Sequence, residues 1–166
     1  GDVYKRQLVK DKGIGEYLNL AQRIKISGKN IRCLLVGPFD SNPSALKSEE
    51  LQPYIDNGIV EYFGEQSDVR PYLAQCTVYV LPSYHEGTPK SVLEAMATGR
   101  PIVTTDAPGC RETVSDNVNG FLVPIKDTDA LFNAVIKIID NKNIARKFSV
   151  ESRRIAEEKY DVNKVN

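Results

Sequence analysis

A chain of 166 residues is close to one domain of ordinary size and long enough to bury a core. Hydrophobic residues at 41% and charged residues at 27% are ordinary globular proportions, which excludes a disordered or fibrous chain. The 22 Lys plus Arg balance 22 Asp plus Glu, so the basic footprint of a dedicated nucleic-acid binder is missing, and no apolar run approaches the roughly 20 residues that cross a bilayer.

Taken in chain order, the first seven residues stand apart. Asp2-Val3-Tyr4-Lys5-Arg6-Gln7 resembles one reading frame of a transposon adaptor used in shotgun sequencing. Residues 1–7 are therefore expected to be non-native, with the natural sequence resuming at about Leu8. The alternative is a real, charged edge of a first strand. From Lys12-Gly13 onward, Ile14, Leu18, Ala21 and Ile24 recur at helical spacing until Ser27-Gly28. Ile31–Val36 is an apolar run of strand length stopped by Gly37-Pro38, and a short helix is expected over Glu49–Ile55. Ile59–Phe63 reads as a strand, Val69–Ala74 as a short helix and Thr77–Leu81 as a buried strand ending at Pro82.

Thr88-Pro89 looks like a cap followed by Pro at the first helical position, opening a helix that runs to about Thr98. Strands are expected at Ile102–Thr104 and Gly120–Val123. Asp127 or Thr128 then caps a helix whose apolar face is Leu131, Ala134, Val135, Ile138 and Ile139, and a last helix covers about Ile144–Glu158. Strands alternating with helices at this spacing predict an α/β fold with a doubly wound, mainly parallel, Rossmann-like sheet, in one domain over residues 8–166. The abrupt end at Asn166 suggests a piece of a longer protein. Three widely separated cysteines, Cys33, Cys76 and Cys110, share no metal-ligand spacing with the single His85 and read as reduced structural thiols of a cytoplasmic protein.

In such sheets ligands bind beyond the carboxyl ends of the strands. Of the loops there, Pro82–Lys90 carries the most chemistry. Glu86 lies in the loop and Glu94 on the second turn of the following helix, so that loop folding can turn both carboxylates to one pocket. Gly87 lets the backbone approach a ligand, and the helix start offers amides to an anion. Two glutamates at this spacing also occur by chance in many helices, Lys12 alone would be a solvated helix-start residue, and His85 reads as a loop histidine.

The frame around the two glutamates resembles the retaining glycosyltransferases of family four, which have the two-domain GT-B fold. The matching elements are Pro82-Ser83-x-x-Glu86-Gly87, Leu93-Glu94-Ala95-Met96-Ala97, and Gly99-x-Pro101-Ile102-Val103, with seven residues between Glu86 and Glu94. Lys12-Gly13, Gly109-x-x-Glu112 and Asn119-Gly120-Phe121-Leu122-Val123-Pro124 extend the match across nearly the whole chain, as the carboxyl-terminal, donor-nucleotide half.

The resemblance implies transfer of a hexose or N-acetylhexosamine, with a UDP-sugar favoured as donor, to a hydroxyl acceptor in cell-surface polysaccharide biosynthesis. It implies that Glu94 accepts hydrogen bonds from the ribose hydroxyls and that Glu86 lies against the transferred sugar near its reacting face. Gly87 and Thr88 would offer amides to sugar and diphosphate, and Lys12 would contact the diphosphate. No metal cofactor is implied. The acceptor, lipid-linked or saccharide, would be bound by a further amino-terminal domain, with the protein cytoplasmic up to the inner face of the membrane. The family's arginine falls at Gln7, inside the suspect segment, and Arg6 is one residue out of register. A catalytically inert nucleotide-sugar-binding module is the rival reading. A nicotinamide-dependent dehydrogenase would need Gly-x-Gly-x-x-Gly after the first strand, which this sequence lacks.

Overall fold

The computed structural model describes residues 2–6, 10–43, 45–87 and 89–160, the side chains of Arg6 and Lys10 excepted. Six strands, β1 (Asp2–Arg6), β2 (Arg32–Val36), β3 (Glu61–Tyr62), β4 (Val78–Leu81), β5 (Ile102–Thr105) and β6 (Gly120–Val123), form one sheet in the order β3-β2-β1-β4-β5-β6. Every pairing is parallel. The order reverses between β1 and β4, and a crevice for a ligand opens at such a point, outside the carboxyl ends of those two strands.

Side chains alternate across the sheet, and each face has its own core. Val3, Cys33, Leu35, Val78, Val80 and Val103 pack under α1 (Ile14–Ser27), α2 (Ser48–Asp56) and α5 (Thr128–Ile139). Tyr4, Leu34, Val36, Tyr79, Leu81 and Ile102 pack under α3 (Arg70–Gln75) and α4 (Lys90–Ala97). The last helix, α6 (Lys142–Lys159), gives Phe148 to the first core and Ala156 to the second. It is tied to the residues leading into β5 and β6: Ser149 donates to the Gly99 carbonyl, Arg153 to that of Ala97, and Ser152 to that of Asn119 at 3.3 Å.

Most expected elements are present, with informative differences. The strand expected over Ile59–Phe63 is only Glu61–Tyr62. Ile59 and Val60 instead donate their amides to the Tyr54 carbonyl at 2.8 and 3.3 Å, because the chain is still turning off the end of α2. The fourth helix begins at Lys90, since Pro89 has ψ 84, outside the helical range, and takes the cap position itself. α6 starts at Lys142, earlier than its apolar pattern suggests, because the Asn141 side chain accepts from the Asn143 and Ile144 amides at 3.1 and 3.2 Å. Asp127 caps α5 as expected, accepting from the Ala130 amide.

The first strand is no edge. Residues 2–6 take the third of six positions, in register with β2 and β4, and Val3, Tyr4 and Lys5 are fully buried. Val3 and Tyr4 suit that slot, whereas burial drives the Lys5 ammonium down to about 7 against a weaker opposing pull from Glu86. A lysine in the central strand is a local conflict with the fold around it.

Because the folded chain binds the Lys5 proton less tightly than the unfolded chain does, Lys5 lowers stability below pH 7, and its cost fades as the unfolded lysine also loses its proton. Lys5→Met is expected to be more stable than the parent by ~4 kcal/mol at and below neutral pH, with the gap closing toward pH ~10. Urea titrations of both chains across this range measure it, and a gap constant with pH contradicts the assignment.

Candidate active site at the carboxyl edge of the sheet

The loop joining β4 to α4 is held from two sides. On one side lies the segment between β1 and α1, which contains a 3-10 turn, Lys10–Lys12. Gly13, at φ 79, lies so close to Pro82 that a Cβ there would come within 2.1 Å of its carbonyl oxygen. The Tyr84 amide donates to the Asp11 carbonyl at 2.9 Å, and the Tyr84 hydroxyl donates to both Glu16 carboxylate oxygens at 2.8 and 2.9 Å. Burial, with the Glu16 carboxylate adding to it, pushes the Tyr84 phenol up to about 12. The Lys126 ammonium lies over the Tyr84 ring, 4.9 Å from its centre.

On the other side, the segment after β5 grips the same loop. Thr105 donates its hydroxyl to the Ser83 carbonyl at 2.6 Å, and the Glu86 amide donates to the Pro108 carbonyl at 2.9 Å. Gly109, at φ 84, faces the Glu86 and Gly87 carbonyls, which a Cβ would approach to 2.0 and 2.8 Å. Gly87 differs, because a Cβ there would meet nothing within 4 Å. The fold therefore requires glycine at 13 and 109, where φ is positive and backbone presses on backbone, and has no packing reason for it at 87.

This bracing brings Lys12 and Glu86 together as an ion pair between Nζ and Oε2, with side-chain exposures of 26% and 10%. The two residues follow β1 and β4, the strands that flank the reversal of strand order. Beside Glu86 is a cavity of about 350 Å³, bounded by Gly87, Pro89, Leu93, Gly109, Glu112, Thr113 and Tyr160. Glu94 stands exposed on the second turn of α4 and is not among the residues around that cavity. The structure thus joins two of the expected residues, Lys12 and Glu86, places Gly87 beside them, and leaves Glu94 facing solvent.

Thr88, Gln7 and the Arg6 side chain lie outside the described residues. His85 is exposed. Asp106 is paired with Arg111 at 3.0 Å on the surface. Sequence reasoning missed Glu16, Asp11 and Tyr84, whose bracing roles have no spacing signal; the aromatic at 84 inside a ligand-side loop was the available hint. Among the described residues no three His, Cys, Asp or Glu side chains are grouped to share a metal ion, and no helix is long and apolar enough to cross a membrane.

Residues 3–141 match the family model described as glycosyl transferases, group 1. The chain belongs to this family. Over 133 residues it is 35% identical to the N,N'-diacetylbacillosaminyl-diphospho-undecaprenol alpha-1,3-N-acetylgalactosaminyltransferase of Campylobacter jejuni, which covers 80% of this chain and 34% of that protein. It is 28% identical over 157 residues to the capsular polysaccharide biosynthesis glycosyltransferase CapM of Staphylococcus aureus, covering 95% of the chain and 41% of that protein. The group 1 chain thus spans well under half the length of these relatives. Its fold is that of TarM, at a TM-score of 0.85 and 20% identity over 99% of this chain and 33% of that one. It is likewise that of Anabaena HepE, solved with UDP-glucose, at 0.82 and 23% over 99% and 46%. The family-four resemblance and the GT-B-type α/β fold expected from the sequence are therefore both correct.

Gly13→Ala and Gly109→Ala are each expected to lower stability by ~2 kcal/mol or more, from strained φ plus displaced backbone, whereas Gly87→Ala changes it by less than ~0.5 kcal/mol. Chemical denaturation of the three variants distinguishes the positions; equal losses at all three would contradict this division.

Proposed function

We propose that this chain is the donor-binding half of a retaining glycosyltransferase that moves a hexose or N-acetylhexosamine from a UDP-sugar to a hydroxyl acceptor. The observation that carries the reading is the meeting of Lys12 and Glu86 at the carboxyl edge, in the frame of the two spaced glutamates. In this reading Lys12 and the backbone at the start of α4 offset the charge of the departing diphosphate. Glu86 lies against the sugar and stabilises the positive charge that develops as the glycosidic bond breaks. Glu94, exposed on α4, takes the two ribose hydroxyls, a role that suits a carboxylate able to accept two donors. Gly87 and Thr88 supply amides to sugar and diphosphate. No metal is invoked.

The lipid-diphosphate acceptor in the name of the Campylobacter relative favours an undecaprenyl-linked acceptor at the cytoplasmic face of a membrane. Surface polysaccharide synthesis, named for the Staphylococcus relative, is the corresponding process. Because the chain spans 34% and 41% of those relatives, it is expected on its own to bind the nucleotide without transferring the sugar. Acceptor positioning supplies much of the rate of such reactions.

UDP is expected to bind the chain weakly. Glu94→Ala removes two charge-assisted hydrogen bonds, each worth about 1.5–3 kcal/mol before water competes, and is expected to cost tenfold or more in UDP affinity. Calorimetric titration of parent and variant measures this, and an unchanged affinity refutes the ribose role.

A further inference from the structure

The described structure pairs the two residues that the functional reading assigns to different parts of the donor. Lys12, read as the diphosphate contact, has its ammonium on the Glu86 carboxylate, read as the sugar contact. Both cannot serve a bound donor and each other fully at once. The backbone on either side is fixed by Gly13 against Pro82 and by Gly109 against Glu86, so an exchange of partners must come from side-chain motion. The four-carbon stem of Lys12 permits it.

The cost of parting them falls mainly on Glu86, whose side chain is only 10% exposed, against 26% for Lys12. A carboxylate so covered needs a replacement partner. Glu112 borders the same cavity, the Glu16 carboxylate is taken by the Tyr84 hydroxyl, Cys110 is a buried thiol, and burial drives the wholly covered Lys5 down to about 7. Hydroxyl groups on a sugar would donate to the carboxylate directly. A bare nucleoside diphosphate has only its ribose hydroxyls, which the reading above places on Glu94.

We propose that Glu86 makes this site discriminate a nucleotide sugar from the free nucleotide: it holds Lys12 when the sugar subsite is empty and yields it to the diphosphate when sugar hydroxyls occupy its carboxylate. This rests on the reading of Lys12 and Glu86 given above and adds a control on the same site. Before transfer the two exchanges support each other, with diphosphate on Lys12 and sugar on Glu86. After transfer the sugar leaves, Glu86 regains Lys12, and the nucleotide loses its cation. Glu86 therefore weakens the product complex relative to the donor complex.

Titration calorimetry with UDP on four chains tests the exchange: the parent, Glu86→Gln, Lys12→Met and the double variant, each checked for folding by circular dichroism. Glu86→Gln is expected to bind UDP about threefold to tenfold more tightly than the parent, because Lys12 is released. In the Lys12→Met background the same substitution is expected to change UDP affinity by less than about twofold. With the tightest of UDP-glucose, UDP-galactose and their N-acetyl forms, the preference for the nucleotide sugar over UDP is expected to shrink in Glu86→Gln. Weaker or unchanged UDP binding by Glu86→Gln overturns the exchange and leaves the nucleotide reading standing. A gain of equal size without Lys12 also overturns it, since that is plain repulsion between Glu86 and the diphosphate. Failure of both parent and Glu86→Gln to bind UDP, with folding intact, overturns the nucleotide reading itself and the inference with it.

Discussion

The site depends on one constraint: the β4–α4 loop is pinned between the segments that follow β1 and β5, and both pins are backbone contacts. Gly13 meets the Pro82 carbonyl and Gly109 meets those of Glu86 and Gly87, at separations that admit no side chain. Backbone contacts of this kind cannot be repacked by changing a rotamer, so they set the loop's path more firmly than hydrophobic burial would. The Tyr84 bonds to Asp11 and Glu16 and the Thr105 bond to the Ser83 carbonyl tie the loop to the same two segments. The sheet order does the rest, because β1 and β4 are neighbours and their following loops emerge side by side. The ion pair of Lys12 with Glu86 is the product of that order and those two glycines.

Element types were legible because each strand and helix has a period that its burial confirms: β2 and β4 are continuous apolar runs, and α1 and α5 carry clean helical stripes. Boundaries were legible where a side chain announced them, as with Asp127, and obscure where the backbone decided. Tyr54 captures the Ile59 and Val60 amides and shortens β3, and no residue pattern expresses that. The central position of β1 was hidden for a different reason. Its charges suggest an exposed edge, while its register places Lys5 fully inside. Composition reads a strand's surroundings only when sequence and fold agree, and at Lys5 they do not.

Of the candidate site, the frame of glycines and glutamates was visible in the chain, while the contacts that make it a site were not. Spacing placed Glu86 and Glu94 near one loop and one helix but said nothing of Lys12 reaching Glu86 across 74 positions of sequence. Nor did it separate glycines that the fold requires from those it does not. Gly13 and Gly109 have positive φ and close backbone neighbours, and Gly87 has neither.

Overall neutrality is compatible with the proposed recognition of a diphosphate, because Lys12 at this edge is paired with Glu86. A preformed cationic pocket for a diphosphate would leave an uncompensated, partly buried ammonium in the empty chain, and desolvation makes such a charge expensive. Lys12 avoids that cost by resting on Glu86, and Arg111 does so on the surface by resting on Asp106. In the proposed reading an anionic ligand then gains only the difference between its own contact with Lys12 and the one it replaces. In the proposed exchange, affinity for the diphosphate alone is held down by this arrangement. In that exchange a ligand that also satisfies the abandoned carboxylate recovers what the diphosphate gives up, so the proposed selectivity comes from simultaneous occupation of two partners rather than from the strength of either.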